Sequence, residues 1–103
     1  MSNAFFIEFS TASRGEWIQR IVESRKCVEA GCSELHILLK STIGLDNFEP
    51  MHFVTLSCLI DVAKLKGSLV WLTIENKELS DFVLNDIRFV SYWKEPQIPD
   101  YRS

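Results

Sequence analysis

The sequence has no long apolar run and no run of basic residues. No apolar stretch approaches the roughly 18 to 20 residues that a membrane-spanning helix requires, so no membrane span is predicted. The net charge is −3, and the few Lys and Arg clusters are too small to neutralise a row of phosphates, as nucleic-acid binding requires. These absences argue against an integral membrane protein and against a nucleic-acid-binding protein.

Glycine and cysteine are also scarce. The 4 glycines form neither G-x-x-x-x-G-K-[ST] nor G-x-G-x-x-G, which are the patterns of phosphate-binding loops. The 3 cysteines, Cys27, Cys32 and Cys58, fit neither C-x-x-C nor a disulfide framework, so we expect a reducing compartment, the cytoplasm. Cys58 falls in an apolar helix, where a cysteine is usually buried. No His or Cys pair has helical ligand spacing, so neither a metal site nor another cofactor is predicted.

The apolar segments alternate between strand length and helix length. Of the 103 residues 47% are apolar, enough for one domain with a single core. Strands are predicted at Ala4–Phe9, 35–39 and Leu69–Ile74, with a weaker last strand at 87–93. The first strand is mostly apolar and is not expected at a fully solvated edge, and the second is expected to be buried on both faces. The prediction is a small α/β domain over residues 1–93, with a mainly parallel sheet of about four strands, followed by a polar tail over 94–103.

Three helices are predicted between and after these strands. Ser13 and Glu16 match a capping box, and the helix that follows carries Trp17, Ile21, Ser24 and Val28 on one face and ends at Gly31. The second helix begins at Pro50, and Asn76 is the expected N-cap of a short third helix. The second helix carries two apolar arcs where one would suffice. The second arc, which we call the outer stripe, is either buried by neighbouring elements or available for docking, and it consists of Met51, Val54, Cys58, Val62 and Leu65.

Ligands of open α/β sheets bind at the carboxyl ends of the strands, which here is the loop from Lys40 to Glu49. Ser41 and Thr42 are candidates for an anion or phosphorylation site, although one glycine in this loop is a weak signal. Asp46, Glu49 and His52 could be read as acid, base or metal ligands. Acidic residues near a helix start usually complement the helix dipole, and a lone His there is usually solvated. No Ser, His and acid set can be assembled, so an enzyme is not predicted.

The central segment resembles a STAS domain, the sulfate-transporter and anti-sigma-antagonist family. The resemblance is carried by Glu34-Leu-His-Ile-Leu-Leu39, by the loop Asp46-Asn-Phe-Glu-Pro50, and by the helix and strand through Leu56–Gly67 and Ser68–Ile74. It is closest to the STAS-like domains of Bacteroidetes that occur beside, or fused to, histidine-kinase-type ATPases. Where the family carries its phosphorylated Ser, this chain has Glu49-Pro50 and no hydroxyl residue.

The resemblance implies a non-catalytic module for protein–protein interaction in signal transduction. It would dock a partner, with a histidine-kinase-type ATPase as the implied candidate, through the loop and the start of the central helix. The absent phosphoacceptor leaves two hypotheses: the module is not switched by phosphorylation, or Glu49 supplies a fixed negative charge. Two other functions stay open, an anionic-ligand or nucleotide-binding domain and a structural homodimer. The predicted partner-binding residues are Asp46, Asn47, Phe48, Glu49, Met51, His52 and Thr55.

Overall fold

The computed structural model describes residues 3–85, and the following statements concern that part of the chain. Strands and helices alternate, as the sequence predicts. The predicted strand at 87–93 and the tail at 94–103 lie outside the described residues. The elements are β1 (Ala4–Phe9), α1 (Arg14–Glu29), β2 (Glu34–Leu39), α2 (Pro50–Leu65), β3 (Leu69–Ile74) and α3 (Lys77–Asn85).

The three strands form one parallel sheet in the order β1-β2-β3. The register places Phe6, His36 and Trp71 side by side across the sheet. Consecutive parallel strands are joined by right-handed crossovers, and because the order runs in one direction, both connecting helices lie on the same face. The predicted α/β class with a parallel sheet is therefore confirmed.

The hydrophobic core lies between this face of the sheet and the helices. Trp17 of α1, Leu56 and Ile60 of α2, and Leu79 of α3 are fully buried in it. Alternate strand residues point into it because successive side chains of a strand face opposite sides. These strand residues are Ile7, Phe9, Leu35, Ile37, Leu39, Val70, Leu72 and Ile74.

The prediction that β2 is buried on both faces is wrong, and the prediction that β1 is not fully solvated holds for one face of that strand only. β2 is central but is buried on one face only, since His36 and Leu38 on its other face are half-buried. β1 is an edge strand of the described sheet, and Phe6 on it is 70% exposed. A continuous apolar run was expected to be covered on both sides, but the helices cover one side.

Both long helices end in the same way, each at a glycine, and the first of these is the predicted Gly31. Gly31 has φ +95° and Gly67 has φ +86°, in the left-handed region that glycine adopts without steric cost. After α2, the Gly67 amide donates to the Lys64 carbonyl and the Ser68 amide donates to the Ala63 carbonyl, which is a Schellman motif. The Ser68 hydroxyl then donates to the carbonyl of Cys32, the residue after Gly31, at 2.7 Å. This bond joins the segments that follow the two helices.

The helix starts differ from the sequence prediction at one place. Pro50 occupies the first turn of α2 as predicted, and the Asn76 side chain caps α3 by accepting from the Leu79 amide at 2.9 Å. Ser13 stands at the N-cap position of α1, but its side chain makes no cap hydrogen bond. The predicted capping box is therefore wrong, although α1 begins where the sequence placed it.

Within residues 3–85, no helix combines the length and apolar character that crossing a membrane would require.

Candidate functional site

The loop between β2 and α2 is held by its own polar groups. Asn47 accepts a hydrogen bond from the Gly44 amide at 2.9 Å and donates from its side-chain nitrogen to the Thr42 carbonyl at 3.0 Å. Ile43 in the same loop is fully buried. Asp46 is exposed on the loop surface. The loop therefore has a defined shape. The Asn47 side chain stabilises that shape through hydrogen bonds within the loop and is not available as a contact for a partner.

The candidate anion site at Ser41 and Thr42 is already occupied by the protein's own groups. The Ser41 amide donates to Glu75 Oε1 at 2.9 Å, and Lys40 Nζ lies 3.5 Å from Glu75 Oε2. The Thr42 hydroxyl donates to the Ser10 carbonyl. A carboxylate thus sits where an anion would bind, and it would repel a phosphate. Glu75 was not singled out from the sequence, although it follows β3, whose carboxyl end lies beside that of β2.

His52 is fully buried, so the expectation of a solvated histidine is wrong. Its Nδ1 accepts from the Glu49 amide at 2.8 Å. Because Nδ1 is an acceptor, the ring hydrogen is on Nε2, which donates to the Ala12 carbonyl at 2.7 Å. His52 therefore joins the start of α2 to the segment before α1, and its ring is not presented to a partner.

Thr55 also turns towards the interior. Its hydroxyl accepts from the indole nitrogen of Trp17 at 2.8 Å and donates to the Met51 carbonyl at 2.6 Å. The Trp17 ring packs edge-on against the rings of His52 and Phe48, with centroids 4.8 Å and 6.1 Å away. Two of the predicted partner-binding side chains, His52 and Thr55, thus hold α1 against α2 beneath the predicted surface.

Glu49 lies at the surface but is not an isolated charge. Its carboxylate forms a salt bridge with Arg14 at 2.7 Å, and both side chains are exposed. The hydrogen bond from Arg14, reinforced by its positive charge, lowers the pKa of Glu49 below the usual value. The negative charge at Glu49 is therefore paired with a residue that the sequence alone did not connect to it.

The outer stripe of α2 is at the surface of the described structure. Its positions recur every three to four residues and so share one helix face. Val54 is 47% exposed and Leu65 is 80% exposed, while Met51 and Val62 are partly buried against the core. Cys58 is exposed, so the expectation of a buried cysteine is wrong.

An apolar cleft adjoins the start of the stripe. Its volume is about 110 Å³, and Phe48, Pro50, Phe53 and Phe82 line it together with Glu49. Phe82 of α3 is 45% exposed. Phe82 was not singled out from the sequence as part of this site, because the packing of α3 beside the start of α2 is a tertiary feature.

Across residues 3–85, no group of three or more His, Cys, Asp or Glu side chains is arranged to hold a metal ion.

Comparison of the chain with protein-family models, with curated proteins and with solved structures finds no match. The resemblance to STAS-like domains therefore stays a prediction from the sequence.

Proposed function

We propose that this protein is a non-catalytic docking module whose contact surface is the outer stripe of α2 together with the adjoining loop. The observation that carries the proposal is the exposure of Val54, Cys58 and Leu65 on one helix face. Surface helices turn mainly charged and polar residues towards the solvent, and a contiguous exposed apolar surface is typical of protein interaction sites.

The neighbouring loop supports docking because it is already shaped. The side chain of Asn47 and the amide of Ser41 are engaged in internal hydrogen bonds. A partner would therefore not have to order this segment, which lowers the entropic cost of binding. Polar contacts at the rim would come from the exposed Asp46 and from the Arg14–Glu49 pair.

The nature of the partner follows from the resemblance, which implies a histidine-kinase-type ATPase. The rival anionic-ligand function is less favoured, because Glu75 holds the amide of Ser41 and the Thr42 hydroxyl is bonded to Ser10. Self-association through the outer stripe uses the same residues as docking, and the experiment below separates the two.

The test uses two valine substitutions in the full chain. Val54→Asp changes the outer stripe, and Val22→Asp is the matched control, because Val22 lies on α1 and is 45% exposed against 47% for Val54. Proteins captured from the native cell extract by wild type and by each variant are identified. The partner recovered is then purified, and its affinity for each of the three proteins is measured by calorimetry.

Binding by wild type and Val22→Asp, with at least about tenfold weaker binding by Val54→Asp, would support the proposal, since a charge buried in an interface is costly. Equal binding by all three would refute it. Sedimentation equilibrium on the same samples tests for self-association. A dimer formed by wild type but not by Val54→Asp would show that the outer stripe is a homodimer interface, and the docking proposal would then be rejected.

A further inference from the structure

The apolar cleft beside the start of α2 has the size of one aliphatic side chain. Phe53 is its most buried lining residue at 3% exposure, and its ring centroid lies 6.1 Å from that of Phe48 and 6.1 Å from that of Phe82. Pro50 and Glu49 complete the lining. A cavity of about 150 Å³ holds a benzene ring. The cleft, at about 110 Å³, therefore suits a smaller group, such as the side chain of a leucine.

The α3 side of the cleft carries two carboxylates. Glu78 is exposed, and it precedes Phe82 by one helical turn, so the two share a face of α3. Asp46 is exposed on the loop. A Cβ added at Gly44 would meet both Asp46 Oδ1, at 3.2 Å, and Asn76 Nδ2, at 3.1 Å. Asp46 therefore lies near the start of α3, which Asn76 caps. A positive charge beside the inserted aliphatic group would complement these carboxylates.

The other end of α2 presents a group of this chemistry. Leu65 is 80% exposed, the highest value among the large exposed apolar side chains of residues 3–85. The exposed Lys66 follows it directly. The helix is unbroken between Phe53 and Leu65, a span of about 18 Å. Leu65 therefore cannot enter the cleft of its own molecule, but it can enter the cleft of a second one.

We propose that the chain associates head to tail, with Leu65 of one copy inserted into the cleft of the next and Lys66 beside Asp46 and Glu78 of that copy. The contact is heterologous, because the two surfaces differ and lie at opposite ends of α2. Heterologous contacts extend into a row of copies unless the rotation between copies closes a ring. Each contact is small and therefore weak. The proposal goes beyond docking, and its test needs no partner protein.

Nuclear magnetic resonance on the full chain tests the contact. The observed protein is isotope-labelled Leu65→Asp, which keeps the cleft but lacks the leucine. It is titrated to about 1 mM, which suits a weak contact, with unlabelled wild type. The matched control is the same titration with unlabelled Leu65→Asp. Circular dichroism verifies that the variant is folded, as expected at a position that is 80% exposed.

Wild type should shift the amide signals of Phe48, Phe53 and Phe82 in the labelled protein. The control should bind at least about tenfold more weakly, because it has no leucine to bury. Unlabelled Lys66→Glu should bind about two- to fivefold more weakly than wild type, as expected for an exposed ion pair. Equally tight binding by Lys66→Glu would refute the pairing with the carboxylates. Absence of cleft shifts with wild type, or equal shifts with the control, would overturn the whole proposal.

Sedimentation equilibrium separates this assembly from symmetric association through the outer stripe. The average mass of wild type should rise with concentration without levelling off at the dimer, while Leu65→Asp should stay monomeric. Val54→Asp should associate as wild type does, because the cleft is lined by other residues. Association that stops at the dimer and is lost in Val54→Asp would show a symmetric interface and reject the head-to-tail contact.

Discussion

Thr55→Val should destabilise the fold, although the substitution nearly preserves the shape of the side chain. Trp17 is 0% exposed, and its indole N–H donates to the Thr55 hydroxyl at 2.8 Å. Valine removes that acceptor and leaves a buried donor unsatisfied, which costs about 1–3 kcal/mol. We expect the free energy of unfolding to fall by this amount. For a domain of this size the midpoint of thermal unfolding should fall by about 4 °C or more.

Urea unfolding followed by circular dichroism measures the effect, with Thr55→Ser as the control that keeps the hydroxyl. A double-mutant cycle with Trp17→Phe isolates the hydrogen bond, because phenylalanine has no donor. In the Trp17→Phe background, Thr55→Val should cost much less than it does in the wild-type chain.

The reasoning is refuted if Thr55→Val costs the same in both backgrounds, or if it changes stability by less than about 0.5 kcal/mol, well below the cost of an unsatisfied buried donor. If the variant is fully stable but no longer binds the partner, Thr55 is a surface contact, as the sequence alone predicted. The experiment therefore distinguishes a supporting role from a direct one.

Three further predictions concern the ends of the helices. His52→Leu removes two hydrogen bonds from a fully buried ring and should cost about 2–4 kcal/mol in urea unfolding; a cost near zero would contradict the bridging role. Gly67→Ala places a side chain at φ +86° and should lower the free energy of unfolding by about 1–2 kcal/mol. Gly15→Ala in α1 is the control, because a Cβ there meets nothing within 4 Å, and it should be neutral or stabilising. Equal effects of the two substitutions would contradict the assignment of strain to Gly67. Arg14→Gln should raise the pKa of Glu49 in an NMR titration, because the hydrogen bond and charge that lower it are lost; an unchanged pKa would show that the pair does not persist in solution.

The sign of the pH effect follows from the lowered pKa of Glu49. The folded state binds the proton of this carboxyl less readily than the unfolded state does, so the stabilisation is present above the ordinary glutamate pKa of 4.5. It is lost as the pH falls below that value and through the lower pKa of the folded state. Both partners are exposed, so the effect on unfolding is small, and the titration is the more sensitive measurement.

The candidate site was only partly predictable from the sequence. The loop and the start of α2 could be located, because parallel strands bring their carboxyl ends to one edge of the sheet. The direction of each side chain could not. His52 and Thr55 belong to the same helical turn as the exposed Val54. Their inward contacts depend on α1 lying alongside, because their partners are the Ala12 carbonyl and the Trp17 indole. Glu75 and Arg14 reach the loop from distant parts of the chain.

Within residues 3–85, the sequence by itself determined the order of the strands and helices, the approximate bounds of the strands and the places where the two long helices begin and stop. These features depend on local physics: the period of apolar residues distinguishes strand from helix, and Gly31 and Gly67 adopt a backbone conformation that other residues avoid. Only the tertiary structure decided which apolar surfaces are covered. The apolar runs of β1 and β2 and the two arcs of α2 are compatible with burial on every side. The right-handed crossovers place the helices on one face of the sheet. The outer stripe of α2 and Phe6 and Trp71 on the other face of the sheet therefore lie outside the core.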